Sequence, residues 1–123
     1  MSKRILVVED HEDNRQILRD LLGNAGFQMI EAETGEAGLT AAAAHTPDLI
    51  LMDIQLPGID GYEVTRRLKA DPVLRSIPII VVTSYALSGD DAKARAAGCD
   101  AYVTKPFSPR QLLAKIKEYL PHA

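Results

Sequence analysis

The chain has 123 residues, 14 Lys and Arg against 17 Asp and Glu, one Cys, no Trp and a formal net charge of −3, a size that suits one compact domain and leaves little room for a second. A hydrophobic content of 46% with 25% charged residues is that of an ordinary globular protein, not a disordered one, and the mild acidic excess gives no electrostatic footprint for nucleic acid. One Cys excludes an internal disulfide and any zinc site built on two or four cysteines.

Met1-Ser2-Lys3-Arg4 precedes an apolar run too short for a signal peptide or a membrane span, so a cytoplasmic, reducing compartment is the default expectation. That run, Ile5-Leu6-Val7-Val8, is unalternating and rich in β-branched residues, which suits a strand buried on both faces of a parallel sheet. It ends in Glu9-Asp10. Residues 12–22 place Ile17, Leu18, Leu21 and Leu22 on one helical face, with Gly23 and Gly26 marking the exit. Gln28-Met29-Ile30 is a weaker strand signal. Residues 35–45 form an Ala-rich helix carrying Leu39, stopped by Pro47. Leu49-Ile50-Leu51-Met52 is a second strong run, ending in Asp53. Asp60, with Glu63 behind it, reads as a capping-box-like start for a helix carrying Val64 and Leu68. Ile79-Ile80-Val81-Val82 is the third strong run, ending in Thr83-Ser84. Ser88 with Asp91 opens an Ala-rich helix that Gly98 closes. Ala101-Tyr102-Val103 is a weak strand followed by Thr104-Lys105-Pro106. Ser108-Pro109-Arg110-Gln111 is the clearest helix start, with a Ser cap, Pro at the first helical position and Gln at the third. Leu112, Leu113, Ile116, Tyr119 and Leu120 then make its apolar stripe. Five β-α units of this kind predict an α/β sandwich on a parallel sheet with right-handed crossovers.

Open parallel sheets bind ligands beyond the carboxyl ends of their strands. Four of the five runs deliver chemistry there: Glu9 and Asp10, Asp53, Thr83, and Lys105. A single carboxylate after a strand is commonly a helix cap, but three converging with a Lys and a Thr need another account. Clustered carboxylates repel, and a divalent cation relieves the repulsion. Mg²⁺ prefers hard oxygen ligands and keeps several waters. Asp10 and Asp53 fit as direct ligands, Glu9 as a direct or water-mediated one, and the backbone carbonyl of Gln55 as a further one. The remaining groups suit phosphoryl transfer, which is mostly positioning and charge neutralisation. Asp53 ends the central run and is the expected acceptor of an aspartyl phosphate. Lys105 would neutralise one phosphoryl oxygen, and Thr83 Oγ1 would bond another.

The order Glu9-Asp10, Asp53 within LILMDIQLPGIDG, Thr83 after PIIVV, and YVTKPF at 102–107 resembles the receiver domain of bacterial two-component response regulators, of the single-domain type, over nearly the whole chain. Each motif alone is weak, and the ordered set is specific. The resemblance implies a flavodoxin-like fold with strand order 2-1-3-4-5, with residues 1–123 as one receiver domain and no effector domain. It implies a Mg²⁺-dependent phosphoacceptor served by a histidine kinase or a histidine phosphotransfer protein. Carried over, Asp53 is the acceptor, Glu9 and Asp10 are the acidic metal pair, Thr83 is the switch hydroxyl, Tyr102 the switch aromatic and Lys105 the phosphate-pairing cation. Pro106 would follow a cis bond, and Gly61 matches the glycine that opens the helix after the acceptor loop. Phosphorylation would then change the surface over residues 85–110 and its preference for a downstream protein. No nucleic acid or membrane partner is implied, and a monomer is the default. The chain departs from the family in having Glu at position 9 where many relatives have Asp, Ser84 where Gly is common, and Ala101 in place of an acid found in DNA-binding relatives.

Other residues have plainer readings. Tyr102 also fits simple strand packing, and Tyr85 fits either an exposed aromatic or a group that crowds the attacking water. Cys99 reads as a small filler. His11 and His45 read as solvated loop or cap residues, with His11 beside the acidic pair at the site rim, and His122 as a frayed terminus. An alternative function is a Mg²⁺-dependent phosphatase or phosphotransferase on small molecules, of the haloacid dehalogenase type. That chemistry needs a second Asp two residues after the nucleophile, where Gln55 stands. A flavodoxin-like cofactor binder is disfavoured because the loop Glu9-Asp10-His11 would repel a flavin phosphate. The Met1 start and the Leu120-Pro121-His122-Ala123 end fit a complete protein better than a receiver module cut from a hybrid kinase.

Overall fold

The computed structural model describes residues 3–83, 90–105 and 107–120. The expectations placed on Ser84, Tyr85, Ser88, Pro106 and His122 lie outside these residues. Five strands alternate with five helices: β1 (Arg4–Val8), α1 (Glu12–Asn24), β2 (Gln28–Ala32), α2 (Gly35–His45), β3 (Leu49–Asp53), α3 (Gly61–Ala70), β4 (Ile79–Thr83), α4 (Asp90–Ala97), β5 (Ala101–Thr104) and α5 (Pro109–Tyr119). All strand pairs are parallel, in the order β2-β1-β3-β4-β5. The sequence reading of a flavodoxin-like α/β sandwich therefore holds, and its three strong apolar runs are the three central strands. Two of them, β3 and β4, are buried at every position. The two weak runs, β2 and β5, are the edges.

Side chains alternate between the sheet faces. Leu6, Val8, Ile50, Met52, Ile79 and Val81 face one cluster with Ala42, Val64 and Leu68. Ile5, Val7, Leu49, Leu51, Ile80 and Val82 face the other, with Leu18, Leu22, Leu112 and Ile116. Hence α2 and α3 cover one face and α1 and α5 the other. The same alternation carries past the strand ends. Glu9, Asp53 and Lys105 fall on the α1/α5 side, while Thr83 and Tyr102 fall on the opposite side.

Two sequence expectations needed correction. Ile17 is not on the buried stripe of α1: it is 55% exposed, whereas Leu18 and Leu22 are buried. The reason is Arg15, which is itself 5% exposed and takes the inward position one turn before Leu18. The capping box at α3 is only half formed. Asp60 Oδ1 accepts the Glu63 N–H at 2.9 Å, but the Glu63 carboxylate pairs with Arg67 and Arg66 instead of reaching back. The helix α2 packs through small residues, Gly35, Gly38 and Ala42. A Cβ at Gly38 would lie 2.8 Å from Val8 Cγ2, so glycine is what lets this helix sit on β1. No helix of the described residues is long and apolar enough to cross a membrane.

Candidate functional site

The carboxyl edge of β1, β3, β4 and β5 collects the expected groups. Glu9 follows β1 and is buried despite its charge. Its Oε1 accepts from Lys105 Nζ at 2.7 Å and from Asn14 Nδ2 at 3.2 Å, and its Oε2 accepts the His11 N–H at 3.1 Å. Asp53 ends β3, is 7% exposed, and lies with its Oδ1 3.9 Å from Lys105 Nζ. Lys105 thus reaches past the expected acceptor and binds Glu9. The Lys105 N–H also donates to the Thr83 carbonyl at 2.6 Å, which ties the β5 exit to β4.

The two acids are driven apart by this arrangement. Burial pushes the Asp53 carboxyl up to about 6, and the Glu9 charge pushes in the same direction; Lys105 and the Gln55 N–H only partly oppose them. Burial also works to raise Glu9, but the Lys105 hydrogen bond, the His11 N–H and the Lys105 charge outweigh it and hold Glu9 at about 2. The single ammonium is therefore spent mainly on Glu9. Glu9 is ionised across the neutral range, whereas Asp53 gives up its proton only around pH 6, and an added positive charge would ease that ionisation.

Asp10 is half-buried, and its Oδ1 is buried with no hydrogen-bond partner. His11 Nδ1, on a largely exposed imidazole, lies 3.1 Å from it. Among the described residues, the His, Cys, Asp and Glu side chains with ligand atoms within 4.8 Å of one another are Glu9, Asp10 and His11. Asp53 stands outside that tight group. Gln55 contributes its backbone N–H to Asp53, while its side chain is exposed. Thr83 is 1% exposed. Tyr102 is half-buried against the α2/α3-side cluster. Because Val81 pairs with Tyr102 and Thr83 with Thr104, Thr83 and Tyr102 are diagonal neighbours on one sheet face.

Two further residues support the site, and the first was not readable as such in the sequence. Arg15 donates from Nη1 to the Glu9 carbonyl at 2.9 Å, and its other nitrogens reach Glu31, Glu12 and Glu33. It pins the loop that presents the acidic pair. Arg15→Met is expected to cost about 2 kcal/mol, because the buried Glu9 carbonyl and Glu33 lose this donor while Glu12 and Glu31 keep only Arg19; chemical denaturation of the variant measures this. The second support is Gly61, whose role the family resemblance did indicate. Its N–H donates to the Ile54 carbonyl at 2.9 Å. A Cβ there would strike the Asp53 carbonyl and lie 2.8 Å from Ile54 Cα. Backbone cannot yield as a side chain does, so Gly61→Ala is expected to lower stability by about 1–3 kcal/mol and to displace the end of β3. A Tm no lower than that of the unsubstituted chain would count against this packing account.

A cleft of about 490 Å³ adjoins the site, lined by Glu9, Asn14, Ile17, Leu18, Lys105, Phe107 and Pro109. Its apolar lip includes Ile17, which with Val73 makes up the large apolar side chains exposed among the described residues.

Known proteins resemble the chain in sequence and, where solved, in fold. It is 47% identical, over 98% of both chains, to the polar-differentiation response regulator DivK of Brucella ovis. Its fold matches a CheY-like response regulator receiver domain protein of Methanospirillum hungatei JF-1 with a TM-score of 0.91 and 34% identity, covering 98% of this chain and 95% of the other. It matches the receiver domain of a sensor histidine kinase of Pseudomonas aeruginosa PAO1, solved with a magnesium ion coordinated in its active-site cleft, with a TM-score of 0.92 and 32% identity, covering 98% and 99% of the two chains. The model of the response regulator receiver domain matches residues 5–117. With the sheet order, the acids at the strand ends and these likenesses in agreement, the chain belongs to the response regulator receiver domains of two-component signalling.

Proposed function

We propose that the protein is a phosphoacceptor that takes a phosphoryl group onto Asp53 from a phosphohistidine, carried by a histidine kinase or a histidine phosphotransfer protein. The observation that carries this reading is the state of Asp53. It is a buried carboxylate at the end of the central strand, pushed up to about 6, with one cation 3.9 Å away. A group so placed gains from any added positive charge, and once ionised it is a nucleophile aimed out of the sheet edge. Asp53 attacks phosphorus, a P–O bond forms, the P–N bond breaks, and the imidazole leaves with its electron pair and takes a proton.

The donor set fits Mg²⁺: the oxygens are hard, they converge, and Asp10 Oδ1 is buried without a donor. Asp10 and Asp53 would hold the ion, with Glu9 direct or through water and the Gln55 carbonyl as a further ligand. When bound, it neutralises carboxylate and phosphoryl charge. Lys105 is 2.7 Å from Glu9 and is within a short swing of Asp53, so it pairs with a phosphoryl oxygen once Glu9 has another partner. Thr83 supplies a hydroxyl to a second oxygen. Its diagonal neighbour Tyr102 then moves on the same face, which changes the 85–110 surface for a downstream protein. The donor protein lands on the apolar lip of Ile17, Phe107 and Pro109, continuous with Glu9 and Lys105 in one cleft.

Incubation with acetyl phosphate, read by intact mass, tests the reading. Gain of one phosphoryl group that requires Mg²⁺ and disappears in Asp53→Asn is expected. Absence of any gain at saturating Mg²⁺ overturns it.

A further inference from the structure

We propose that Arg15 is a positioning residue for the metal site: it clamps the peptide between Glu9 and Asp10, presets the acidic pair, and so strengthens Mg²⁺ binding about tenfold without touching the ion. The inference rests on the reading of Glu9, Asp10 and Asp53 as the residues that hold Mg²⁺.

Arg15 stands in the first turn of α1, directly after the acidic loop, yet it is 5% exposed. Each nitrogen of its guanidinium has a partner. Nη1 donates to the Glu9 carbonyl at 2.9 Å, Nε to Glu31 Oε1 at 3.2 Å, and Nη2 to Glu12 Oε2 at 2.6 Å and Glu33 Oε1 at 3.1 Å. These carboxylates sit on β2, on α1 and just after β2, so the planar fork is fixed from three sides and cannot turn. The N–H aimed at the Glu9 carbonyl is fixed with it. That carbonyl belongs to the peptide joining Glu9 to Asp10, and holding it sets the direction in which both side chains leave the backbone. The other bonds of the loop act on the Glu9 end: its N–H donates to the Ala32 carbonyl at 3.0 Å, and its Oε2 accepts the His11 N–H at 3.1 Å. Arg15 holds the side that leads into Asp10.

A buried cation beside a metal site ordinarily opposes a dication. Here Glu12, Glu31 and Glu33 pair with Arg15, and Arg19 pairs with Glu12 and Glu31. The guanidinium thus orients the peptide with its charge already balanced. Partners that orient metal ligands from behind commonly carry about ten- to a hundredfold in metal affinity, because an unclamped loop must be ordered as the ion binds. The sign separates geometry from charge. On charge alone, removal of Arg15 tightens Mg²⁺ binding; on geometry it weakens it.

The test is calorimetric titration of the whole chain with Mg²⁺, each protein being held below the melting transition found for it by a thermal melt. Arg15→Met should weaken Mg²⁺ binding about tenfold. Arg15→Lys keeps the charge but lacks the fork, and should weaken binding about threefold; it carries the test if Arg15→Met does not fold. Arg19→Met strips the same carboxylates of their outer cation and leaves the Glu9 carbonyl bond in place, so Mg²⁺ binding should stay within about twofold. With acetyl phosphate as donor, Arg15→Met should raise the Mg²⁺ concentration for half-maximal phosphorylation by about tenfold, with the rate at saturating Mg²⁺ little changed. Unchanged or tighter Mg²⁺ binding in the folded Arg15 variants overturns the proposal. Equal weakening in Arg19→Met overturns it too, since the effect then belongs to the charge network and not to the clamped carbonyl. If the unsubstituted protein binds no Mg²⁺, or Asp10→Asn binds it equally well, the reading of the acidic pair fails and takes this inference with it.

Discussion

Asp53→Asn is expected to stabilise the protein by about 2–3 kcal/mol at pH 8 in the presence of a chelator, while abolishing phosphoryl gain. The two effects have one cause. The folded state raises the Asp53 carboxyl from 3.8 to about 6, first by burial and then by the charge of Glu9. The folded protein therefore binds this proton more tightly than the unfolded chain does. By linkage, stability falls as pH rises through the interval from about 4 to 6, and the full cost applies above it. A shift of this size corresponds to about 3 kcal/mol. Asn has nearly the same shape, cannot ionise, and keeps an oxygen to accept the Gln55 N–H. The difference between variant and unsubstituted protein should be largest above pH 7 and should close toward pH 4. Saturating Mg²⁺ should narrow the gap as well, because a bound cation offsets the repulsion that the substitution removes. Chemical denaturation at pH 4, 6 and 8, with and without Mg²⁺, reads all of this. If the variant were less stable at pH 8, the charge conflict assigned to Asp53 would be wrong.

That conflict is where legibility in the sequence ended. The architecture was readable because it rests on short-range pattern. The unalternating runs at 5–8, 49–52 and 79–82 had to be strands covered on both faces, and the weak runs were edges because they carry Gln28, Glu31 and Tyr102 on half-exposed faces. The convergence of Glu9, Asp10, Asp53, Thr83 and Lys105 was readable because a parallel sheet sends all its strand ends to one side. The partner of each charge was not, since it depends on side-chain reach between elements far apart in the chain. Lys105 and Glu9 are 96 positions apart, and only the assembled edge shows the ammonium on Glu9 at 2.7 Å and not on Asp53 at 3.9 Å. Arg15 was missed for a similar reason. A cation in a helix usually marks the solvated face, and only the assembled structure puts a backbone carbonyl and three glutamates around it. Ile17 was misplaced because Arg15, a charged residue, holds an inward position that hydrophobic patterning alone cannot assign.

The Lys105–Glu9 pair makes the second large effect. Lys105→Met should cost about 3 kcal/mol at pH 8, the scale for removing one partner of a buried ion pair. Met keeps most of the stem volume, so packing changes little. What is lost is the ammonium beside a carboxylate whose side chain is 3% exposed. In the unsubstituted protein Glu9 is held at about 2, below its usual 4.5, so its contribution is present above pH 4.5 and fades only as pH falls toward 2. Without Lys105 the burial effect is unopposed by a cation, and both Glu9 and Asp53 move upward. The sign then reverses: the variant loses stability as pH rises above about 4.5, and the gap between the two proteins widens from pH 4 to pH 8. The double variant Glu9→Gln/Lys105→Met should recover most of the loss. The Gln carbonyl still accepts from His11 N–H or Asn14, the Glu9 charge is gone, and Asp53, though it loses Lys105 at 3.9 Å, is also freed of the Glu9 repulsion. A double-mutant cycle read by denaturation at pH 8 should give a coupling of about 2–3 kcal/mol. A coupling near zero would mean that the ammonium is well solvated and that Glu9 is held ionised by backbone donors alone. In that case Lys105 would already be free to meet a phosphoryl oxygen, and its transfer from Glu9 would no longer be a step in the response.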